Sequence, residues 1–469
     1  MGTLVMKFGG TSVGSVEALT QAVDIVMQYK AEWDRLVVVV SAMSGVTNAL
    51  TEGARTAEGG NNERYKAIHA ELVERHTDVI ETLIKDDGTR ESLKAQVEAL
   101  LEEFATLCHS VHVLGEATPR AMDTITSLGE RINARVVAAL IRERSAESEA
   151  VEATGLIITD DKFQDAVPIR EVTCERVAER LEPLLKKGVI PVVTGFIAAT
   201  EDGAVTTLGR GGSDYTAAII GDCLNADEVW TWTDVDGVMS ADPRLVDNAV
   251  VIPELSYSEV SELAFYGAKV LHPKTIRPIV ERGIPLWVKN TFNPEYSGTL
   301  IIPDPKNGNG NIKAISAIRD LSMITVEGMG MLGVPGIAAR TFSAVARQEV
   351  SVLMISQASS EQSISFIIPM GSVKQVIAAV EDEMAVELER RDIDRIWSMD
   401  NVVIITAVGA GLRSTPGIAA RIFGALGNAN INVIAIAQGS SECGLSFLVD
   451  ADDAANAVRG IHEEVIIHG

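Results

Sequence analysis

Over its first three hundred residues the chain alternates short, strongly apolar runs with longer segments whose apolar and charged positions recur at three- to four-residue spacing. Runs that are apolar at nearly every position predict strands buried on both faces, and hence a largely parallel sheet covered by helices. These runs are LVMKF from Leu4, LVVVVSAM from Leu36, GLIIT from Gly155, IPVVTGFIA from Ile190, EVWTWTDV from Glu228 and IPLWVKN from Ile284. Between the second and third, residues from about Thr47 to Arg144 read as mostly helical. The polar, turn-rich stretch DPKNGNGN, from Asp304 to Asn311, reads as a linker.

Beyond it the chain repeats itself. GMGMLGVPGIAARTF from Gly328 matches GAGLRSTPGIAARIF from Gly409, and ISQASSEQSISF from Ile355 matches IAQGSSECGLSF from Ile436. The offset is a constant 81 residues, as between Gly336 and Gly417, which is too long for a solenoid repeat and implies a duplicated small domain. Each copy reads strand, glycine turn, helix, strand, strand, second helix, the βαββαβ pattern of a sheet packed on two helices. Gly328, Gly330 and Gly333 imitate a dinucleotide fingerprint, but the duplicate has Ser414 at the third position. A tight strand-to-helix turn is the better reading.

Composition is that of a globular protein, with 46% hydrophobic and 22% charged residues, which excludes disorder. A net charge of -25 excludes a phosphate-backbone partner such as nucleic acid. No apolar run is long enough to span a bilayer and no leader pattern opens the chain, so no membrane association and a cytoplasmic location are expected. Cys108, Cys174, Cys223 and Cys443 show no metal-ligand or CxxC spacing and are expected to be reduced thiols.

Four strings carry candidate chemistry. KFGGTS, from Lys7 to Ser12, ends the first strand ahead of a helix starting near Ser15; its paired glycines bring backbone N–H groups close to an anion and Lys7 adds a cation. TTLGRGGSDYTA, from Thr206, sets Arg210 among Gly209, Gly211 and Gly212, leaving room for a carboxylate on its guanidinium, with Ser213 and Asp214 at a helix start where either is also a natural cap. TDVDGV from Thr233, followed by SADPR, closes a strand at the edge where open α/β sheets bind ligands. In FYGAKVLHP from Phe265, Lys269 is either a surface lysine or a second cation for phosphates.

With SAMSGVTNAL, LGERI and VVTGFI, these strings resemble, in order and across nearly the whole chain, the amino-acid kinase superfamily and within it the aspartokinases; the C-terminal repeats resemble ACT domains. The resemblance implies an amino-acid-kinase-type α/β sheet flanked by helices (residues 1–303), a linker (304–316) and two ACT-like regulatory domains (317–398 and 399–469), with strand exchange between the two left open. It implies transfer of the γ-phosphate of ATP, with Mg²⁺, to the β-carboxylate of L-aspartate. It assigns Lys7, Phe8, Gly9, Gly10 and Ser12 to the phosphates, and Ser41, Thr47, Glu130, Arg210 and Ser213 to aspartate, Glu130 meeting its ammonium and Arg210 its α-carboxylate. Asp214 would orient Lys7, while Thr233, Asp234, Gly237, Asp242, Arg244 and Lys269 form the nucleotide side. Met239, Ser240 and Ala241 stand where the family commonly has Tyr-Thr-Thr.

By the same resemblance an amino-acid effector contacts Met331, Gly333, Val334, Pro335, Gly336, Ser351, Val352 and Gln357. Lysine-inhibited relatives offer a carboxylate at the position of Leu353, so threonine is the expected effector rather than lysine, with Glu349 and Glu361 as the acids that argue the other way. A homodimer or larger assembly through the ACT-like domains is expected. Another amino-acid kinase, or a sensor whose kinase has decayed, are the alternatives. A fused homoserine dehydrogenase is not expected, since nothing follows the second repeat.

Overall fold

The computed structural model describes residues 2–266, 271, 273–303, 305, 311–357, 362–438 and 443–467. They form two compact units, the first made of residues 1–238, 253–257 and 271–305, the second of 239–252, 258–270 and 306–469.

The first unit begins with β1 (Thr3–Phe8), α1 (Val16–Lys30) and β2 (Arg35–Val40). Four helices follow, α2 (Val46–Glu58), α3 (Asn62–Leu83), α4 (Asp87–Leu114) and α5 (Pro119–Glu143). Then come β3 (Ser148–Val151), β4 (Ile158–Thr159), α6 (Arg170–Lys186), β5 (Ile190–Thr194), β6 (Ile197–Thr200), β7 (Val205–Thr207), α7 (Gly212–Cys223) and β8 (Glu228–Thr233). Last are β9 (Glu254–Ser256), α8 (Tyr257–Phe265), most of which belongs to the second unit, α9 (Pro273–Arg282), β10 (Leu286–Asn290) and β11 (Thr299–Ile302). The main sheet runs β3-β5-β2-β1-β8-β10-β11-β9, parallel throughout except at β10–β11. Its central strands are apolar because both faces are covered; all six residues of β1 are buried. Helix starts follow local chemistry: Ser15 Oγ accepts the Ala18 N–H ahead of α1, and Thr118 caps α5 with Pro119 in its first turn.

Three expectations are corrected here. IPVVTGFIA is two strands in two sheets, broken at Gly195–Phe196, where Phe196 has φ 66. GLIIT yields only the two-residue β4. Cys174 and Cys223 are joined in a disulfide that ties α6 to α7, because the two helices pack side by side and bring together residues 49 apart in sequence; Cys108 and Cys443 are buried thiols. Of the proposed linker, residues 304 and 306–310 lie outside the described residues.

The second unit holds the duplicated modules, β12 (Ala314–Glu327), α10 (Ile337–Arg347), β13 (Met354–Gln357), β14 (Ser363–Pro369), α11 (Val373–Glu383) and α12 (Ala385–Arg390), then β15 (Arg395–Val408), α13 (Ile418–Asn428), β16 (Ala435–Ala437), β17 (Gly444–Asp450) and α14 (Ala454–His462). One sheet, β13-β14-β12-β15-β17-β16, contains both. The long strands β12 and β15 are each shared. Leu321–Glu327 starts the first module and pairs with Arg395–Met399, which follows that module's second helix, while Ala314–Ile318 pairs with Ile404–Val408 as the fourth strand beside β15 and β17 of the second. The segment ahead of the first module therefore completes the sheet of the second. Gly328 and Gly330 of the false dinucleotide pattern serve close backbone approach, since a Cβ on Gly328 would lie 2.3 Å from the Asp392 carbonyl oxygen, whereas Gly333 takes a left-handed φ of 70.

Candidate active site

Because β1, β2, β5, β8 and β10 are parallel, the turns after them open on one edge of the sheet, the edge where such sheets bind ligands. Alternation along β1 sends Phe8 and Lys7 to opposite faces. Phe8 is buried and stacks on Trp232, with ring centroids 6.0 Å apart. Lys7 reaches the other face, where its Nζ lies 2.8 Å from Asp214 Oδ1.

Asp214 is carried by the first turn of α7. Gly209 (φ 74) and Gly211 (φ 73) adopt left-handed backbone to enter that helix, and a Cβ on Gly209 would sit 2.9 Å from Asp165 Oδ1. The N-cap is Gly211, so neither Ser213 nor Asp214 is a cap. Ser213 Oγ instead accepts from Ser41 Oγ at 2.9 Å. Gly195 makes room for it, as a Cβ there would lie 2.6 Å from the Ser213 side chain.

Around this pair lies a cavity of about 390 Å³ lined by Lys7, Gly10, Ser41, Thr47, Glu130, Arg210, Ser213 and Asp214, together with Ala42–Gly45, Asn48, Phe196, Gly209, Gly211 and Gly212. Arg210 is exposed and has no acidic partner among the described residues. Glu130, on α5, is 3% exposed; one carboxyl oxygen accepts the Ala42 N–H at 3.2 Å and the other has no partner among the described residues. Burial pushes its pKa up to about 8, against the Ala42 hydrogen bond, which favours the charged form. A cavity with an unpaired guanidinium, a buried carboxyl lacking a cation, and a lysine beyond them complements an amino-acid zwitterion with a further anionic group.

Eight of the residues expected at the site thus line one cavity. Phe8 and Ser12 do not: Ser12 is fully buried, donating to the Trp232 carbonyl at 3.2 Å and accepting from Thr291 Oγ1 at 2.7 Å. Gly9 donates its N–H to the same carbonyl. Thr233, Asp234 and Gly237 sit at and beyond the end of β8, outside the cavity lining, with Thr233 Oγ1 donating to Asp234 Oδ1. Asp242 and Arg244 belong to the second unit and pair with each other, and Lys269 lies outside the described residues. Asn48, Phe196 and the Ala42 N–H are contributors that residue-type reasoning missed; the VVTGFI string was the available signal for Phe196.

In the second unit a cavity of about 380 Å³ is lined by Met331, Gly333, Val334, Pro335, Gly336 and Gln357, with Ile337, Ala338 and Ile364. Ser351 and Val352 precede β13 and do not line it. The small residues of 239–241 have a packing reason: Ser240 Oγ is 2.8 Å from His462 Nε2 and accepts the Val250 N–H, while Ala241 packs in an apolar cluster with Ile461 and Val465.

Residues 2–290 match the model of the amino acid kinase family, and residues 324–384 and 405–465 match that of the ACT domain. The chain belongs to the amino acid kinase family. Its relatives within that family, along nearly its whole length, are aspartokinases. It is 32% identical to the lysine-sensitive aspartokinase 3 of Escherichia coli, covering 98% of this chain and 99% of that one. It is 36% identical to a bifunctional aspartokinase/homoserine dehydrogenase of Zea mays over 99% of this chain and 50% of the relative, so it spans about half the length of such relatives. E. coli aspartokinase III in complex with aspartate and ADP superposes with a TM-score of 0.82 at 29% identity, each chain covered to 99%, and Clostridium acetobutylicum aspartate kinase with 0.82 at 27%, covering 98% of this chain and 100% of that one. Among the described residues no helix is long and apolar enough to cross a membrane.

Proposed function

We propose that the chain is an ATP-dependent aspartate kinase, phosphorylating the β-carboxylate of L-aspartate, with its duplicated modules as the effector sensor. The observation that carries this reading is the Lys7–Asp214 pair opening on a cavity that also holds unpartnered Arg210 and buried Glu130.

The chemistry needs no general base. An aspartate side chain, with a pKa of about 4, is already an anion at neutral pH. The barrier is repulsion between that carboxylate and the triphosphate, and positioning plus cations lower it. Glu130 takes the substrate ammonium, Arg210 its α-carboxylate, and the Ser41–Ser213 pair and Thr47 border the side chain. Lys7, aimed by Asp214, meets the transferring phosphoryl group, and Gly9, tied to the Trp232 carbonyl, and Gly10 let the phosphates come close to the loop backbone. Thr233, Asp234 and Gly237 form the nucleotide side. Mg²⁺ comes with the triphosphate and offsets its charge; exposed Asp234 is the oxygen donor suited to it.

Threonine, held by Gln357 and the Met331–Gly336 turn, is the effector we favour over lysine, because Leu353 offers no carboxylate for an ε-ammonium. The site works in a cytoplasmic homodimer or larger assembly, with residues 1–303 catalytic and 317–398 and 399–469 regulatory. The test is ADP release by the purified protein with ATP and Mg²⁺, with and without L-aspartate.

A further inference from the structure

The turn that closes β10, NTFN from Asn290 to Asn293, does not line the cavity beside Lys7, yet it holds two loops of the nucleotide side. Thr291 is fully buried. Its Oγ1 donates to Ser12 Oγ at 2.7 Å, Ser12 Oγ donates to the Trp232 carbonyl at 3.2 Å, and the Thr291 N–H donates to the Thr233 carbonyl at 2.9 Å. One residue along, Asn290 Nδ2 donates to Asp236 Oδ1 at 2.8 Å, and Asn293 Nδ2 donates to the same oxygen at 3.0 Å. The Asn290 amide is itself oriented, its Oδ1 accepting the Phe292 N–H at 2.9 Å.

One four-residue turn is therefore bonded both to the KFGGTS loop, through Ser12, and to the TDVDG loop, through Thr233 and Asp236. None of its residues lines the cavity assigned to aspartate. We infer that Asn290 and Thr291 are positioning residues for the nucleotide: they fix the spacing of the two loops that receive the phosphates, acting through Ser12 and Asp236 and touching no reactant. This rests on the kinase reading above. The chemistry favours such a brace because the loops present backbone N–H groups to a polyanion, and misplacing such donors weakens charge-assisted hydrogen bonds directly. Asp236, accepting two amide donors, is held against the turn, which fixes the loop that carries it.

The test uses the full chain and two readouts, calorimetric binding of Mg·ADP without aspartate, and the separate KM values for ATP and aspartate. Thr291→Val keeps shape and removes the hydroxyl, while Thr291→Ser keeps the hydroxyl; Asn290→Ala repeats the test on the Asp236 arm and serves if Thr291→Val fails to fold. Loss of the buried Thr291–Ser12 hydrogen bond, or of the two bonds made by the Asn290 amide, predicts about tenfold weaker Mg·ADP binding and a similar rise in KM for ATP for Thr291→Val and Asn290→Ala. KM for aspartate should stay within about twofold, and Thr291→Ser should recover most of the loss. Equal rises in both KM values, or a lower Tm with Mg·ADP binding unchanged, would overturn the inference. A wild-type protein that binds Mg·ADP but shows no aspartate-dependent turnover would sink the kinase reading instead, and the binding arm would still decide the brace.

Discussion

Lys7 Nζ and Asp214 Oδ1 lie 2.8 Å apart, one at the end of the central strand and the other in the first turn of α7. The pair converts a strand end and a helix start into a single device: the carboxylate aims the ammonium, and the ammonium faces the cavity. Lys7→Ala should lower kcat by at least about 100-fold with aspartate KM changed little, because the lysine acts on charge that moves in the transition state. Steady-state kinetics checks this, and an unchanged kcat would remove Lys7 from the chemistry.

Arg210 divides the substrates. Arg210→Ala should reduce kcat/KM for aspartate by about 30- to 1,000-fold, the loss of a charge-assisted bidentate contact, with ATP binding largely intact. Arg210→Lys should not restore it, since an ammonium lacks the planar fork. Comparable losses for both substrates would contradict the assignment.

Glu130 gives the site a pH signature. Its pKa, raised by burial to about 8, means that the free enzyme holds a neutral carboxyl below that pH and must ionise it to meet an ammonium. Aspartate affinity should therefore weaken as pH falls from 8 toward 6, approaching about tenfold per unit. Because the folded pKa lies above that of the unfolded chain, the apo protein loses stability from this group as pH rises from about 4.5 through 8. Glu130→Gln should flatten both profiles, read by isothermal titration and by Tm; a wild-type binding curve independent of pH would refute the role.

The sensor makes a sharper demand. At saturating substrates threonine should inhibit more strongly than lysine, and Gln357→Ala should relieve threonine inhibition with kcat unchanged. Inhibition by lysine alone would refute the argument from Leu353.

The Cys174–Cys223 bridge closes a loop of 49 residues between the helix behind β5 and the one carrying Asp214. By the chain-entropy relation it contributes up to about 4 kcal/mol, so Tm should fall clearly in reductant and in Cys174→Ser, and the two decreases should not add. Equal Tm with and without reductant would show that the bridge does not form in solution.

What the sequence made legible was local. Lys7 stood out as a cation ending an apolar strand before two glycines, and Arg210 as a guanidinium among glycines. What it concealed was set at long range. IPVVTGFIA is nearly all apolar and reads as one strand; it breaks at Gly195–Phe196, where Phe196 turns to φ 66 and Ser213, from a distant helix, leaves room only for glycine beside it. Ser213 and Asp214 look like caps until Gly211 is seen to start the helix. The 81-residue repeat announces two modules, but a repeat cannot tell where a fourth strand comes from, and here Ala314–Ile318, ahead of the first module, pairs with Ile404–Val408 of the second. Cys174 and Cys223 lacked any local spacing signal, and only the packing of α6 on α7 joins them.

The central claim is that the cavity beside Lys7 and Asp214 receives aspartate as phosphoryl acceptor, and ADP release measured across an amino-acid panel tests it most directly. The account predicts turnover with L-aspartate, trapped by hydroxylamine as the β-hydroxamate, with little ADP from glutamate or N-acetylglutamate and a large loss of turnover in Lys7→Ala. ADP release independent of aspartate, or no turnover from a folded protein that binds Mg·ADP, would contradict it.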